Sequence, residues 1–305
     1  MTATSAVRIA VAGPDGLGEG PFWHPSEQAL WWCDIPSFAI RRFEPASGAL
    51  RSWRLPSDVG SIAPRHDGTL VVALREGLVR FDPDGDEGRG AIVERLADAP
   101  YDPRDQRFND GKCDPAGRFW VGAMDEPRRP DSASLYCWSE GRLAERQTGI
   151  TISNGLAWSP DGRTLHWSDT TAHTVRAYDF EPSNGAMWNE RVFARFPKRA
   201  EGQSLDDYAG RPDGAAMDAE GCYWVAMYEG ARVLRLSPAG ETIGEVRLPA
   251  RCPTMPCFGG PDLRTVYVTS ASVHRPASER ETHPANGAVL AFEVDVPGLP
   301  VSFAA

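Results

Sequence analysis

Four polar side chains occur at one common distance before strand-like apolar segments, and their chemical types suit the binding of a metal ion. They are Glu19, Asn109, Asn154 and Asp213, each followed by glycine directly or after one residue. Carboxylate and amide oxygens are the ligands that Ca²⁺, Mg²⁺ and Mn²⁺ prefer, and Zn²⁺ also accepts them. Because two bare carboxylates at Glu19 and Asp213 would repel each other, the pattern predicts an oxygen-only site for one divalent cation.

Each of these dipeptides alone is a weak signal, since Asn-Gly and Asp-Gly are ordinary turn sequences. A site is favoured because all four side chains lie about ten residues before equivalent points of a repeat. The neighbouring glycines let strands crowd together and let the backbone approach a ligand. The glycine-rich segment around Glu19 leads into a strand pattern, whereas a dinucleotide-binding glycine loop leads into a helix.

The repeat consists of a short strand, a turn built on Asp, Pro or Gly, and a second strand rich in aromatic and β-branched residues. Its equivalent points, at separations of 40 to 58 residues, are Leu30, Leu70, Phe119, Leu165, Tyr223 and Val266. That spacing is the length of a four-stranded propeller blade. Sustained helical periodicity is almost absent, so little helix is expected. The sequence therefore predicts an all-β chain, a six-bladed β-propeller of four-stranded antiparallel blades, with the four polar side chains around one mouth of its channel.

One domain is predicted to cover residues 1–305, because no segment has the composition of an interdomain linker. The longest separation between repeats, 58 residues, indicates an insertion of about ten residues in the loop that enters the fifth blade. This insertion lies near Lys198 to Gly210, and the sequence alone assigns it no role.

The charge balance and apolar pattern exclude several partners. Thirty-two basic against 42 acidic residues give a formal net charge of −10, whereas a nucleic-acid partner requires a basic face. No apolar run approaches the roughly 18 residues that span a bilayer, and the first residues lack a signal-peptide pattern, so we expect no membrane partner and a cytoplasmic location. The six cysteines lie in or beside apolar strand patterns and are predicted to be reduced core thiols.

Four segments, in this order, resemble the senescence-marker-protein, gluconolactonase and regucalcin family across about residues 14 to 295. They are 17–23 (LGEGPFW), 107–112 (RFNDGK), 152–158 (ISNGLAW) and 211–214 (RPDG). The resemblance implies a six-bladed propeller that binds one divalent cation, Ca²⁺ by preference with Zn²⁺, Mg²⁺, Mn²⁺ or Fe²⁺ left open, and that hydrolyses sugar lactones.

The same resemblance assigns roles to individual residues. Glu19, Asn154 and Asp213 match the metal ligands of the family, and Arg107 and Asn109 match its substrate-contacting positions. Glu126 lies where family members often place a further substrate carboxylate, although the neighbouring segment 127–130 (PRRP) differs from the family pattern.

The implied reaction is the opening of an aldono-lactone to the aldonic acid. The cation would polarise the ring carbonyl, and Asp213 would also act as the catalytic base for the attacking water. Two alternatives stay open, namely a calcium-binding regulatory propeller without turnover and a metal-dependent hydrolase of other esters or organophosphates. The polar trio of Arg107, Asn109 and Glu126 favours a small sugar lactone as the partner, and the protein is expected to be a monomer or a weak oligomer.

Overall fold

The computed structural model describes residues 3–13, 15–276 and 278–305. The predicted single domain of residues 1–305 thus includes residues 1, 2, 14 and 277, which lie outside the described residues. Two four-residue helices, α1 (Gly85–Gly88) and α2 (Glu279–Thr282), and one 3-10 turn (Ile35–Ser37) occur in this part of the chain. The remaining regular structure is β-strand, as predicted. Across these residues no helix is both long enough and apolar enough to span a membrane.

The strands follow one another along the chain in groups that each form one blade. They are β1 (Arg8–Val11), β2 (Gly18–His24), β3 (Ala29–Asp34), β4 (Ala39–Glu44), β5 (Ala49–Arg54), β6 (Val59–Pro64), β7 (Leu70–Leu74), β8 (Gly77–Asp82), β9 (Ala91–Asp98), β10 (Gln106–Cys113), β11 (Phe119–Asp125), β12 (Ala133–Ser139), β13 (Arg142–Ile150), β14 (Ser153–Trp158), β15 (Thr164–Asp169), β16 (Thr174–Glu181), β17 (Ala186–Arg195), β18 (Arg211–Met217), β19 (Tyr223–Tyr228), β20 (Arg232–Leu236), β21 (Thr242–Arg247), β22 (Pro253–Gly259), β23 (Thr265–Ser270) and β24 (Val289–Glu293).

These strands form six four-stranded antiparallel sheets, which confirms the predicted six-bladed propeller. The sheets have the orders β2-β3-β4-β5, β6-β7-β8-β9, β10-β11-β12-β13, β14-β15-β16-β17, β18-β19-β20-β21 and β22-β23-β24-β1. The first strands of neighbouring blades contact one another in a closed circuit, from β2 through β6, β10, β14, β18 and β22 back to β2. The ring is closed within the sixth blade, because β1 pairs with β24 and supplies the outermost strand. The sequence did not predict this closure.

In the third and fifth blades, a buried aspartate connects the turn to the second strand. Asp114 accepts hydrogen bonds through one carboxylate oxygen from Trp120 Nε1 at 2.8 Å and Arg118 Nε at 2.6 Å. Its other oxygen accepts backbone N–H groups of the turn itself. Asp218 in the fifth blade bonds Trp224 Nε1 at 2.9 Å in the same way. Each such carboxylate is fully buried yet satisfied, so it ties the turn to the aromatic second strand.

Every innermost strand is irregular at the same point. Its register against the second strand shifts between Glu19 and Phe22, Val59 and Ser61, Phe108 and Gly111, Asn154 and Ala157, Pro212 and Ala215, and Pro253 and Pro256. A bulge leaves residues out of the ladder and re-aims their side chains. The positive φ of Gly20 and Gly155, 58° and 63°, is a conformation that favours glycine and explains its place beside the polar residues.

The opposite end of the channel is crossed by the C-terminal segment. Its backbone bridges Asp218 to Gly298 and Arg65 to Ala304, so it runs from the fifth blade to the second. Between this segment and the inner strands lies a cavity of about 260 Å³ with mainly apolar walls. The cavity is lined by none of the four polar residues predicted to bind a metal ion, so it belongs to a different part of the channel from the candidate site.

The loop of residues 196–210 between β17 and β18 contains the predicted insertion. Tyr208 is buried and its hydroxyl lies 3.3 Å from His173 Nε2. The carbonyl oxygen of Leu205 accepts a hydrogen bond from Arg251 Nη1 at 3.1 Å, and Asp206 pairs with the same guanidinium. The loop is therefore fastened to the fourth and sixth blades near the entrance of the fifth.

Phe303 lies in the C-terminal segment that crosses one end of the channel, and its removal tests how much this segment stabilises the propeller. Its ring stacks on His66 at 4.6 Å and meets His24 edge-on at 5.3 Å. Because Phe303 is partly buried, we expect Phe303→Ala to lower the free energy of unfolding by about 2 kcal/mol, less than for a fully buried phenylalanine. Urea unfolding measures the change. As a control, Trp188→Ala removes a half-exposed side chain from β17 and should lower the free energy of unfolding by about 0.5 kcal/mol or less. Equal decreases in the two variants would show that the C-terminal segment does not stabilise the propeller through Phe303.

Candidate metal centre and substrate site

The four polar residues predicted to lie around one channel mouth are placed at equivalent points of four inner strands. Glu19 is on β2, Asn109 on β10, Asn154 on β14 and Asp213 on β18, each at the register shift. All four are buried, with between 2% and 6% of their surface exposed. At the corresponding point of the two remaining blades the sequence has Gly60 and Met255, neither of which carries a side-chain oxygen.

The two amides are joined to each other and oriented from behind. Asn109 Nδ2 donates to Asn154 Oδ1 at 3.1 Å and to the carbonyl oxygen of Ser153 at 2.8 Å. Asn154 Nδ2 donates to Thr170 Oγ1 at 2.8 Å, and that hydroxyl donates to the carbonyl oxygen of Pro212. These bonds fix which way Asn154 points. Its Oδ1 still has one lone pair available for a ligand.

The two carboxylates of the site lack such partners. Among the described residues, no side chain donates a hydrogen bond to Glu19 or to Asp213. Burial raises the pKa of Asp213 to about 8, although the charges of Arg211 and Arg107 oppose the shift. Burial, followed by the negative charges of Asp213 and Asp110, raises the pKa of Glu19 well above its usual value. Two unpaired carboxylates in one buried space are costly unless a cation or protons compensate them.

This donor set fits a hard divalent cation. Within the described part of the chain, no group of three or more His, Cys, Asp and Glu side chains forms a metal-binding cluster. The candidate set instead combines the carboxylates of Glu19 and Asp213 with the amide oxygen of Asn154. All six cysteines are buried free thiols, as predicted. Cys33 Sγ donates to the backbone carbonyl oxygen of Glu19 at 3.1 Å. The residues that could hold a metal are therefore oxygen donors, the type that suits Ca²⁺.

Asp110, which follows Asn109, adds a third negative charge beneath the mouth. It is 3% exposed, and its Oδ2 accepts the backbone N–H of Leu156 at 2.9 Å. Its Oδ1 has no hydrogen-bond partner among the described residues. Lys112 supplies the nearest compensating charge, and its Nζ donates to the carbonyl oxygen of Ala215 at 2.8 Å. Since Lys112 belongs to the third blade and Ala215 to the fifth, this side chain reaches across the channel below the site.

Arg107 lies beside the oxygen cluster and is almost completely buried. Its Nη1 donates to Asn109 Oδ1 at 2.8 Å and to the carbonyl oxygen of Phe108 at 2.9 Å. Burial lowers the pKa of this guanidinium, and the carboxylates of Asp58 and Glu126 act in the opposite direction. The structure thus brings Arg107 and Asn109, the two residues predicted to contact the substrate, together beside the candidate metal centre.

Glu126 lies at the rim of the mouth, and its carboxylate is hydrogen-bonded to Arg75. Its two carboxylate oxygens accept hydrogen bonds from Arg75 at 2.9 and 3.0 Å, while Arg107 Nε is 3.8 Å away. Arg75 also pairs with Asp58 at 2.5 Å. Arg75 and Thr170 were not identified from the sequence. Each directly follows the second strand of its blade, but no motif marks that position.

The raised pKa of Asp213 predicts how the metal-free protein responds to pH. Between about pH 4 and pH 8 the folded protein retains a proton that the unfolded chain has lost. In chelator, the free energy of unfolding should therefore fall as pH rises through this window. Chemical unfolding across pH 5 to 9 tests this, and Asp213→Asn should flatten the slope. A matched control is Glu140→Gln on an exposed turn; an unchanged slope in Asp213→Asn would show that Asp213 titrates normally.

Comparisons with known proteins agree over nearly the whole chain. A family model described as the SMP-30/Gluconolactonase/LRE-like region matches residues 17–272. A 6-deoxy-6-sulfogluconolactonase of Pseudomonas putida is 40% identical over 293 residues, which cover 96% of each chain. A regucalcin of Gallus gallus is 34% identical over 97% of this chain and 98% of its own.

A solved structure shows the same architecture. The crystal structure of a calcium-binding protein, regucalcin, from Agrobacterium tumefaciens superposes with a TM-score of 0.90 at 26% sequence identity. The match covers 98% of this chain and 97% of the other.

Proposed function

The chain belongs to the SMP-30/gluconolactonase/LRE-like family, and we propose that it hydrolyses a sugar lactone to the aldonic acid with the help of one divalent cation. The observation that carries this proposal is a pair of buried carboxylates, Glu19 and Asp213, to which no side chain of the described residues donates a hydrogen bond. The oriented amide of Asn154 and the buried guanidinium of Arg107 lie beside them. The name of the relative that is 40% identical, a sulfogluconolactonase, supports a sugar lactone as substrate.

The proposed ligands of the cation are Glu19, Asn154 and Asp213. Ca²⁺ is the proposed ion, because all three donors are oxygens and because a structural relative is described as a calcium-binding protein. A cation held there would supply a Lewis acid that polarises the carbonyl oxygen of the lactone. Thr170 would keep the amide oxygen of Asn154 directed at the ion, as groups behind metal ligands do in general.

Arg107 and Asn109 are the proposed substrate-binding residues. Their bond to each other at 2.8 Å leaves several guanidinium N–H groups of Arg107 for the hydroxyl oxygens of a sugar. Glu126, held by Arg75 at the rim, would accept a hydrogen bond from a sugar hydroxyl group that lies farther from the lactone carbonyl. These polar groups favour a sugar lactone over an apolar ester, whose burial would leave them without partners.

Asp213 is proposed to accept the proton of the water that attacks the carbonyl carbon. A carboxylate beside a dication is a weak base, since the ion stabilises its charged form. Asp213 can still act in this way because the same cation would make the carbonyl carbon more electrophilic and the water more acidic, which reduces the base strength that is needed. As the bond between the carbonyl carbon and the ring oxygen breaks, Asp213 would return this proton to the ring oxygen, which becomes a hydroxyl group. The carboxylic acid formed at the same time loses its own proton to solvent.

Titration of the acid released from a panel of lactones tests the function directly. We expect hydrolysis of at least one sugar lactone, its loss in the presence of chelator, and its recovery when Ca²⁺, Mn²⁺ or Zn²⁺ is added. Metal binding without any turnover would instead indicate a calcium-binding regulatory protein. Turnover confined to apolar esters or organophosphates would indicate the other hydrolase class.

Variants of the three proposed ligands separate metal binding from base catalysis. Glu19→Gln and Asn154→Ala should lower the affinity for the cation, which calorimetry measures. Both variants should regain much of their turnover at saturating metal. Asp213→Asn keeps an oxygen ligand but removes the base, so its turnover should stay about 10²- to 10⁴-fold low even when metal is saturating. Near-wild-type turnover of Asp213→Asn under those conditions would show that Asp213 is a ligand only.

A further inference from the structure

A loop at the rim places a basic segment above the candidate site. Residues 126–132 connect β11 to β12 in the third blade, yet the ends of this loop are fastened to the fourth blade. The backbone N–H of Asp125 donates to the carbonyl oxygen of Thr151 at 3.1 Å, and that of Asp131 donates to Thr151 Oγ1 at 3.2 Å. Thr151 lies three residues before Asn154. The loop therefore spans the edge of the mouth between two blades that carry site residues.

Arg128 in this loop differs from the other arginines around the mouth. Among the described residues, its guanidinium forms no ion pair and no hydrogen bond with the protein. The other arginines at the rim are paired, namely Arg75 with Asp58 and Glu126, Arg129 with Asp105 and Asp125, Arg211 with Glu229, and Arg275 with Glu229 and Glu279. Among the described residues, the guanidinium of Arg128 at the entrance is thus left without a carboxylate partner.

The backbone around Arg128 restricts where its side chain can go. Arg128 has a φ of 63° and follows Pro127, and its N–H is bonded to the carbonyl oxygen of Asp125. The next residue, Arg129, is held by Asp125 through its backbone N–H at 2.7 Å and its Nε at 3.0 Å. A loop fixed in this way presents Arg128 at little conformational cost when a ligand binds.

A second guanidinium lies on the same side of the mouth. Arg211 stands on β18, two residues before Asp213, with its Cζ 4.9 Å from the ring centre of Tyr228. The surrounding protein atoms and the positive charge of Arg211 both lower the pKa of Arg128. The positive charges of Arg211 and Arg128 also act on Asp213. Arg211 is paired with Glu229, whereas Arg128 is unpaired among the described residues, so a net positive charge remains on this side of the mouth.

We propose that Arg128, with Arg211 beside it, binds an anionic group at the end of the substrate that is remote from the lactone carbonyl. The substrate class is then an acidic sugar lactone, one that carries a sulfonate, phosphate or carboxylate. A guanidinium presents paired N–H donors that match such oxyanions, and this match is stronger than a bond to a neutral hydroxyl. The inference rests on the proposed lactonase function and specifies its substrate.

The test compares acidic with neutral lactones of the same ring. The quantity measured is the ratio of kcat/KM for a 6-sulfonated, a 6-phosphorylated or a uronic-acid lactone to kcat/KM for the neutral lactone. The wild-type protein should favour at least one acidic lactone by tenfold or more, with the difference mainly in KM. The preferred member of the three identifies the anionic group, and its advantage should decrease as ionic strength rises.

Arg128→Gln should reduce this ratio by about tenfold to a hundredfold, as expected for the loss of a charge-assisted hydrogen bond. Arg128→Lys should retain part of the preference, since it keeps the charge without the paired donors. The control is Arg104→Gln, which removes the same charge from an exposed arginine already paired with Asp102; its ratio should equal that of the wild type. The affinity for the metal ion, measured by calorimetry, checks that each variant retains its metal site.

Two results would overturn the inference while leaving the lactonase function intact. One is a wild-type ratio near one or below for all three acidic lactones while the neutral lactone is hydrolysed. The other is an unchanged ratio in Arg128→Gln. If no lactone of either kind is hydrolysed, the proposed function itself fails, and this substrate class fails with it.

Discussion

Two buried carboxylates, Glu19 and Asp213, to which no side chain of the described residues donates a hydrogen bond, set the constraint on which this molecule depends. Removing charged oxygens from water costs several kcal/mol per group unless an opposite charge or a proton compensates them. Among the residues that the structure describes, no ammonium or guanidinium forms an ion pair with either carboxylate, and burial raises the pKa of both groups. A bound dication would resolve this conflict, and the same ion would serve the proposed lactone hydrolysis.

The propeller provides the rigidity that such a site needs. Neighbouring inner strands approach so closely that a Cβ at Gly60 would collide with the carbonyl oxygen of Phe108 in the next blade. Asn154 is oriented by Thr170, which in turn is bonded to the backbone of β18. The proposed metal ligands thus lie on strands with fixed positions. The rim residues Glu126 and Arg128 lie on a loop, where sequence changes cost the fold little.

The sequence predicted the features that depend on local periodicity. The recurring Asp-containing turn and aromatic strand give the blade length, and counting back from them places Asn109 and Asn154 where the structure joins them at 3.1 Å. The sequence could not show that β1 completes the sixth blade, because an outermost strand carries no repeated turn. Thr170 and Arg75 were missed for a related reason, since their partners come from other strands or blades and depend on tertiary packing.

The proposed metal site can be tested by diffraction from crystals soaked in Mn²⁺, recorded at a wavelength where manganese scatters anomalously. We expect a single strong anomalous peak on the channel axis, within about 2.0 to 2.6 Å of oxygens from Glu19, Asn154 and Asp213. The peak should be lost in Glu19→Gln crystals soaked at limiting metal. A site without a peak, or a peak bound elsewhere while these three side chains remain unliganded, would contradict the account.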